Sequence, residues 1–400
     1  MIQNYINGEF VSALSGQTEK LVNPATEEVI DEMAWGNGDD CRAAIFAAEA
    51  AFKTWSKTNV YQRAAILKKA AEVIRGNISA YAKSTVMESG KPMVEAKGEW
   101  MVAANLFEWF AEEGKRAYGR TIPANRNDKR MMTIWQPMGV VGVITAWNFP
   151  AYNPARAWGA SLAAGCTLIT KGSEFTPMST NHLTEALIES GLPAGVLNNL
   201  VGDAAAIGGE LLASPVVKKI SFTGSTRVGK ILMDGASKTN TKLSLELGGN
   251  APVIISHDVN VEALAVAAVT AKLRNAGQVC IAPQRFFVHE KIYDQFLAVA
   301  SDAIKNIKVG YGWDTETNMG PLINQRQQQQ VLGIVDEAKR EGAAVVSGNI
   351  PSNKGWFVAP TILKDVDAHT NAVNKEIFGP VMPIIRWEHK NDVVEWANNT

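Results

Sequence analysis

Residues 139–147 read GVVGVITAW, residues 166–177 read CTLITKGSEFTP, and residues 216–232 read VVKKISFTGSTRVGKIL. Each is a short apolar, β-branched run that breaks at glycine or proline and resumes as a helical pattern. Strand, turn and helix in that repeated order describe a parallel sheet covered by helices. A second segment of this kind follows residue 246, with strands expected at residues 252–255 and 285–289. Upstream, residues 40–55 and 61–75 repeat Ala, Ile and Leu at three- and four-residue spacing, and Pro92 opens another long run. The first third therefore reads as packed amphipathic helices. Between the two regions, residues 118–137 (YGRTIPANRNDKRMMTIWQP) alternate about a polar turn at 125–128, which predicts a β-hairpin arm.

The chain has 400 residues, too many for one compact core, so two or more domains are expected. Lys plus Arg number 39 and Asp plus Glu 40, which leaves no net field to draw in nucleic acid or an anionic membrane. The first ten residues, MIQNYINGEF, have neither a basic leader nor an apolar stretch of secretory length, and no run approaches a membrane span. Cys41, Cys166 and Cys280 are widely spaced, without the CxxC pairs of a zinc site. Free thiols in the cytoplasm fit this pattern, and no metal is expected.

Residues 275–280, NAGQVC, place a thiol after a glycine turn at the end of a helical run beginning at residue 261. A cysteine so placed can face a cleft and be activated by amide dipoles and cations. The thiol alone leaves open a buried, inert cysteine, the role assigned to Cys41 and Cys166. Residues 245–251, LELGGNA, lead Glu246 into two glycines that allow close backbone approach. A carboxylate lodged among Leu243, Leu245 and Leu247 would resist ionisation, as suits a general base. Residues 147–150, WNFP, end an apolar strand, where the Asn148 amide can donate to an oxyanion or simply form the turn. KGSE at 171–174 offers a cation and an acid at a sheet edge, and FTGSTRVG at 222–229 opens a helix whose first amides, near Gly224 and Ser225, can face a pyrophosphate. The GxGxxG order is absent, so the ordinary Rossmann fingerprint fails.

Taken together, LELGGNA and NAGQVC in this order, with matching segments from NPATEEVI at Asn23 to KEIFGP at Lys375, resemble the aldehyde dehydrogenase superfamily over nearly the whole chain. The resemblance implies two doubly wound α/β domains, one cofactor-binding (1–117 and 139–246) and one catalytic (247–400), plus an oligomerisation hairpin at 118–138. It implies Cys280 as nucleophile, Glu246 as base for the hydrolytic water, and Asn148 with the Cys280 amide as oxyanion donors. Lys171 and Glu174 would hold the adenosine ribose, Gly224 and Ser225 sit by the pyrophosphate, and Glu376 bind the nicotinamide ribose beside Phe378. Trp147, Gly172, Ser173 and Leu247 complete the cofactor site. The chemistry expected is NAD(P)-dependent oxidation of an aldehyde to a carboxylic acid. Relatives that pass the acyl group to coenzyme A generally lack the glutamate, so hydrolysis is expected. A catalytically silent member has no use for the three residues together.

Arg156 and Arg274 flank the reactive residues, and buried guanidinium groups call for an anionic partner. The succinate-semialdehyde dehydrogenase branch carries arginines at both matching positions, which points to a short aldehyde with a distal acid group. A sulfonated substrate such as sulfolactaldehyde, or another semialdehyde, satisfies the same chemistry, and a pair of structural arginines is the alternative. Ala282 stands where many of that branch have a second, redox-regulating cysteine. Glu174 favours NAD over NADP by repelling a 2′-phosphate. Relatives continue past the position of Thr400, so the C-terminal part of the catalytic domain is expected to be missing, and the complete chain is expected to form a homodimer or homotetramer.

Overall fold

The computed structural model describes residues 1–352 and 354–400, and they divide into two compact units. Unit 1 comprises Met1–Leu21, Val29–Thr85 and Lys97–Glu246, and unit 2 comprises Val22–Glu28, Val86–Ala96 and Leu247–Thr400.

Four short strands come first: β1 (Asn4–Ile6), β2 (Glu9–Val11), β3 (Thr18–Val22) and β4 (Val29–Ala34). Helices α1 (Gly38–Trp55), α2 (Val60–Ser89) and α3 (Met93–Gly114) follow, then the hairpin β5 (Arg120–Ile122) and β6 (Met131–Thr133). The first third is thus not purely helical. Strands of three to six residues, several of them polar, carry no periodicity to read. From residue 140 the order is β7 (Val140–Ile144), α4 (Tyr152–Ala164), β8 (Thr167–Lys171), α5 (Pro177–Glu189), β9 (Leu197–Leu200), α6 (Ala204–Ala213), β10 (Val217–Thr223), α7 (Thr226–Thr239) and β11 (Lys242–Glu246).

The main sheet of unit 1 has the order β11-β10-β7-β8-β9-β1-β2. β7 to β11 run parallel and β1 joins β9 antiparallel. β8 and β9 are buried along their whole length, because a parallel sheet is covered on both faces. Cys41, Ala44, Ile45 and Ala48 of α1 pack with Ile207 and Leu211 of α6 against Val140, Ile169, Leu200 and Ile220 of the sheet. Strand order reverses between β7 and β10. In open α/β sheets the crevice beyond the carboxyl ends at such a switch point is where ligands bind, and the turns flanking it are WNFP and FTGS.

In unit 2 the elements are β12 (Ala251–Ile255), α8 (Val261–Leu273), a 3₁₀ turn (Arg274–Gly277), β13 (Pro283–His289), α9 (Glu290–Lys305), α10 (Gln325–Arg340), β14 (Ala344–Ser347), β15 (Thr361–Lys364), α11 (Asn371–Asn374), β16 (Val381–Trp387) and α12 (Lys390–Asn398). Its sheet, β12-β13-β16-β15-β14, is parallel except for the outer β14. Val269 and Leu273 of α8, Phe286 and Val288 of β13, and Phe296 and Ile304 of α9 lie at the centre of its core. Among the described residues no helix is long and apolar enough to cross a membrane.

Candidate active site

In unit 1 the sequence-predicted residues gather at the carboxyl ends of the strands. Asn148 follows β7 and is 4% exposed. Its Oδ1 accepts from Asn153 Nδ2 at 3.3 Å, which turns the amide's donor edge the other way. The helix that follows, α4, has Ala151 at its N-cap and no cap from its own side chain. Glu99 of α3 supplies one instead: its Oε1 accepts from Ala151 N at 2.7 Å and Tyr152 N at 3.1 Å. A buried carboxylate on free helix-terminal amides satisfies both the orphan donors and the helix dipole.

Arg156, one turn into α4, lies over the Tyr152 ring, with its guanidinium carbon 5.6 Å from the ring centre. Nη2 is 3.4 Å from Thr223 Oγ1 at the end of β10, and Nη1 is 3.6 Å from Glu246 Oε2 at the end of β11. The expectation that leucines enclose Glu246 fails. In edge strand β11, Lys242, Ser244 and Glu246 alternate outward while Leu243 and Leu245 are half-buried, so the side chain of Glu246 is 59% exposed. Period-two alternation sends a strand's neighbouring side chains to opposite faces, and adjacency in sequence had hidden that.

Lys171 ends β8, is buried, and pairs with Glu174 on the turn beyond it. Between them, Gly172 N donates to Leu200 O at 3.1 Å, and Ser173 Oγ accepts from Phe175 N at 3.2 Å. Ser225 is the N-cap of α7, its Oγ accepting from Val228 N at 3.4 Å. Gly224 N donates to Glu246 O at 3.0 Å. That amide therefore extends the β10–β11 pairing and is not itself spare for a pyrophosphate. Trp147 is half-buried.

In unit 2 the two glycines after Leu247 do make close approaches. A Cβ on Gly248 would overlap the Glu376 carboxylate, and one on Gly249 would lie 3.1 Å from the Cys280 carbonyl oxygen. Gly249 N donates to Glu376 Oε1 at 3.3 Å. Burial raises the Glu376 pKa, opposed by that amide and by the Lys272 charge. Lys272 is wholly buried and donates to Gln284 Oε1; burial lowers its ammonium to about 7, with Glu376 acting against the shift. Phe378 has φ 51°, and its carbonyl accepts from Gln327 Nε2 at 2.9 Å.

The cysteine loop departs furthest from ordinary backbone. Asn275, Ala276 and Gly277 have φ of 49°, 53° and 74° in succession. Gly277 cannot be another residue, since a Cβ there would overlap the Gly379 carbonyl oxygen. Gln278 N and Nε2 both donate to Asn275 O at 3.0 Å, and Gln278 Oε1 accepts from Ile323 N at 3.0 Å. The run ends at Cys280, which is partly exposed, whereas Cys41 and Cys166 are buried. Burial, more than the nearby Glu210, pushes the Cys41 thiol up to about 12, which leaves it inert. Arg274 is exposed, so the argument from a buried, anion-seeking guanidinium does not hold for it; Arg156 is half-buried. Sequence reasoning missed Glu95, Glu99, Lys272 and Gln278. The spacing of Glu95 and Glu99, four residues apart on one helix, was the available signal.

The aldehyde dehydrogenase family model matches residues 10–400. The chain is 41% identical to a succinate-semialdehyde dehydrogenase [NADP(+)] of Escherichia coli and 42% identical to a glutarate-semialdehyde dehydrogenase of Pseudomonas putida, in both cases over 100% of this chain and 83% of the relative. The crystal structure of succinate-semialdehyde dehydrogenase from Burkholderia pseudomallei superposes with a TM-score of 0.98 at 40% identity, again over 100% of this chain and 83% of that one. Motifs, fold and likeness agree: the chain belongs to the aldehyde dehydrogenase family, NAD(P)-dependent oxidoreductases that act on aldehydes.

Proposed function

We propose that this chain oxidises a short aldehyde with an acid group at its far end, succinic semialdehyde first among them, with Cys280 as nucleophile, Glu246 as base, and Asn148 with the Cys280 amide as oxyanion donors. The observation that carries the proposal is the selection of one cysteine of three: Cys280 alone is partly exposed, at the end of a locked left-handed turn. Its thiolate adds to the aldehyde carbon, and the carbonyl pair moves onto oxygen, where amide donors stabilise it. The dinucleotide, when bound, supplies the two-electron acceptor that turns this thiohemiacetal into a thioester. Glu246 then takes a proton from water, whose oxygen attacks the thioester and releases the acid and the thiolate. An exposed carboxylate on a flexible side chain suits that exchange with solvent.

The residues fit a dinucleotide: Lys171 and Glu174 close the β8 turn and Ser225 caps α7, beside the reversal of strand order. Trp147, Gly172, Ser173 and Gly224 in unit 1, and Leu247, Glu376 and Phe378 in unit 2, are assigned to cofactor binding. Glu174 supports NAD over NADP, because a carboxylate at the ribose repels a 2′-phosphate. The E. coli relative is named for NADP(+), so the comparison is worth making directly: NAD should give the higher kcat/KM, and equal or better use of NADP would overturn the preference.

The relatives' names, succinate- and glutarate-semialdehyde dehydrogenase, support the acid-terminated class; sulfolactaldehyde is the alternative of like chemistry. Arg156 and Arg274 are assigned to the distal acid. Charge-assisted hydrogen bonds are worth about 1.5–3 kcal/mol, so losing either arginine should lower kcat/KM for succinic semialdehyde about ten- to a hundredfold and leave butanal nearly unchanged. The 3.6 Å approach of Arg156 to Glu246 favours a second role for Arg156, orienting the base. Equal losses on both substrates in the Arg156 variant would select that role and withdraw Arg156 from the acid pocket.

We also place the protein in the cytoplasm, which its three free cysteines support. We assign the hairpin to homo-oligomerisation, as dimer or tetramer. Its exposed Met132, Ile134 and Trp135 support that role.

A further inference from the structure

Two consecutive non-glycine residues in the left-handed region are costly, and alanine gains nothing there to offset the cost. Asn275 and Ala276 therefore need external restraint. Gln278 ties the far end of the turn to itself and to residue 323. At the near end, α8 stops at Leu273 and Arg274 turns to ψ 132°, so the buried amide of Asn275 leaves the helical ladder. A carboxylate meets it. Glu95 places Oε2 at 3.0 Å and Oε1 at 3.2 Å from Asn275 N, within the same unit and 180 residues away in sequence. Glu95 lies in the first turn of α3, where a carboxylate complements the helix dipole.

We propose that Glu95 is a positioning residue for the nucleophile: by holding the Asn275 amide in both carboxylate oxygens it fixes the left-handed turn that delivers Cys280. The inference rests on the assignment of Cys280 above. Glu95 touches neither substrate nor cofactor in this account; it acts through the backbone. Its loss should therefore lower the rate of the covalent step and spare substrate binding.

The test uses Glu95→Ala and Glu95→Gln in the intact protein. In Glu95→Ala, kcat and the pre-steady-state NADH burst rate should fall about ten- to a hundredfold, the scale of a small misplacement of a reacting group, with KM within about twofold of wild type. Glu95→Gln keeps a neutral acceptor and should recover much of that loss. A wild-type burst rate in Glu95→Ala, or a loss that appears wholly in KM, would overturn the proposal. Should Glu95→Ala fail to fold, Glu95→Gln alone decides: a burst rate several-fold below wild type is expected, and parity would overturn it. Iodoacetamide labelling of wild type, with the labelled peptide mapped, separates the two layers. Inactivation that tracks Cys41 or Cys166 would remove the nucleophile assignment itself, whereas inactivation tracking Cys280 with an unaltered Glu95→Ala burst would remove the role of Glu95 alone.

Discussion

The turns at the carboxyl ends of the unit 1 strands and the reactive loops of unit 2 are built in opposite ways. Between residues 139 and 246, the one non-glycine residue with positive φ is Asn240, at the C-cap of α7, where such a residue is routine. The WNFP, KGSE and FTGS turns follow ordinary strand-to-helix geometry. Unit 2 holds Asn275, Ala276 and Phe378 left-handed within its proposed site, and hydrogen bonds with distant segments, Asn275 to Glu95 and Gln327 to Phe378, fix the first and the last. Regular turns suffice to cradle a ligand, because its many contacts share the work of placement. A nucleophile must be delivered as one atom, and a strained, heavily bonded loop excludes alternative positions. Damage to the cysteine loop of unit 2 should therefore appear in the rate of chemistry, and damage to the KGSE and FTGS turns of unit 1 in cofactor affinity.

The largest expected effect is that of Cys280→Ala, which should abolish both aldehyde oxidation and esterase activity, since both pass through a covalent acyl-enzyme. Residual turnover of either kind, measured by NADH absorbance or nitrophenol release, would move the nucleophile elsewhere. Next comes Gly277→Ala, which adds a Cβ against the Gly379 carbonyl at φ 74°. It should lower kcat by at least about a hundredfold or prevent folding, because neither backbone segment can yield without moving the loop; a soluble variant with normal kcat would show that the turn is not fixed. The smallest is Ser225→Ala in unit 1. Loss of this N-cap should cost about 1 kcal/mol of stability, raise the KM for NAD severalfold, and leave kcat near wild type. A fall in kcat with unchanged KM would erase the contrast between the units.

How much of this was legible in sequence follows the same division. The strands after residue 139 announced themselves by β-branched runs punctuated by glycine and proline, and their turns fell where a sheet edge was expected. Residues 61–75 were read as a helix, but α2 continues through Gly76 and Asn77 to Ser89; no neighbour lies within 4 Å of a Cβ on Gly76, so that glycine serves no turn. β9 carries Asn198 and Asn199 buried and hydrogen-bonded, a polar interior that hydrophobic patterning cannot flag. Glu246 was placed among leucines that the strand turns away from it. Glu95 and Glu99 meet amides 180 and 52 residues distant, and no local pattern encodes such partners. NAGQVC was identified as reactive from its residues and resemblance, but its left-handed run required coordinates.

The most direct test of the central claim, a cysteine that carries the acyl group and a separate glutamate that releases it, is a stopped-flow and mass-spectrometric study of Glu246→Gln with NAD and succinic semialdehyde. The variant should release one NADH per site at close to the wild-type burst rate and then stall, with the mass of the succinyl group retained on the Cys280 peptide. Continued turnover near the wild-type rate, with no acyl group on Cys280, would contradict the account.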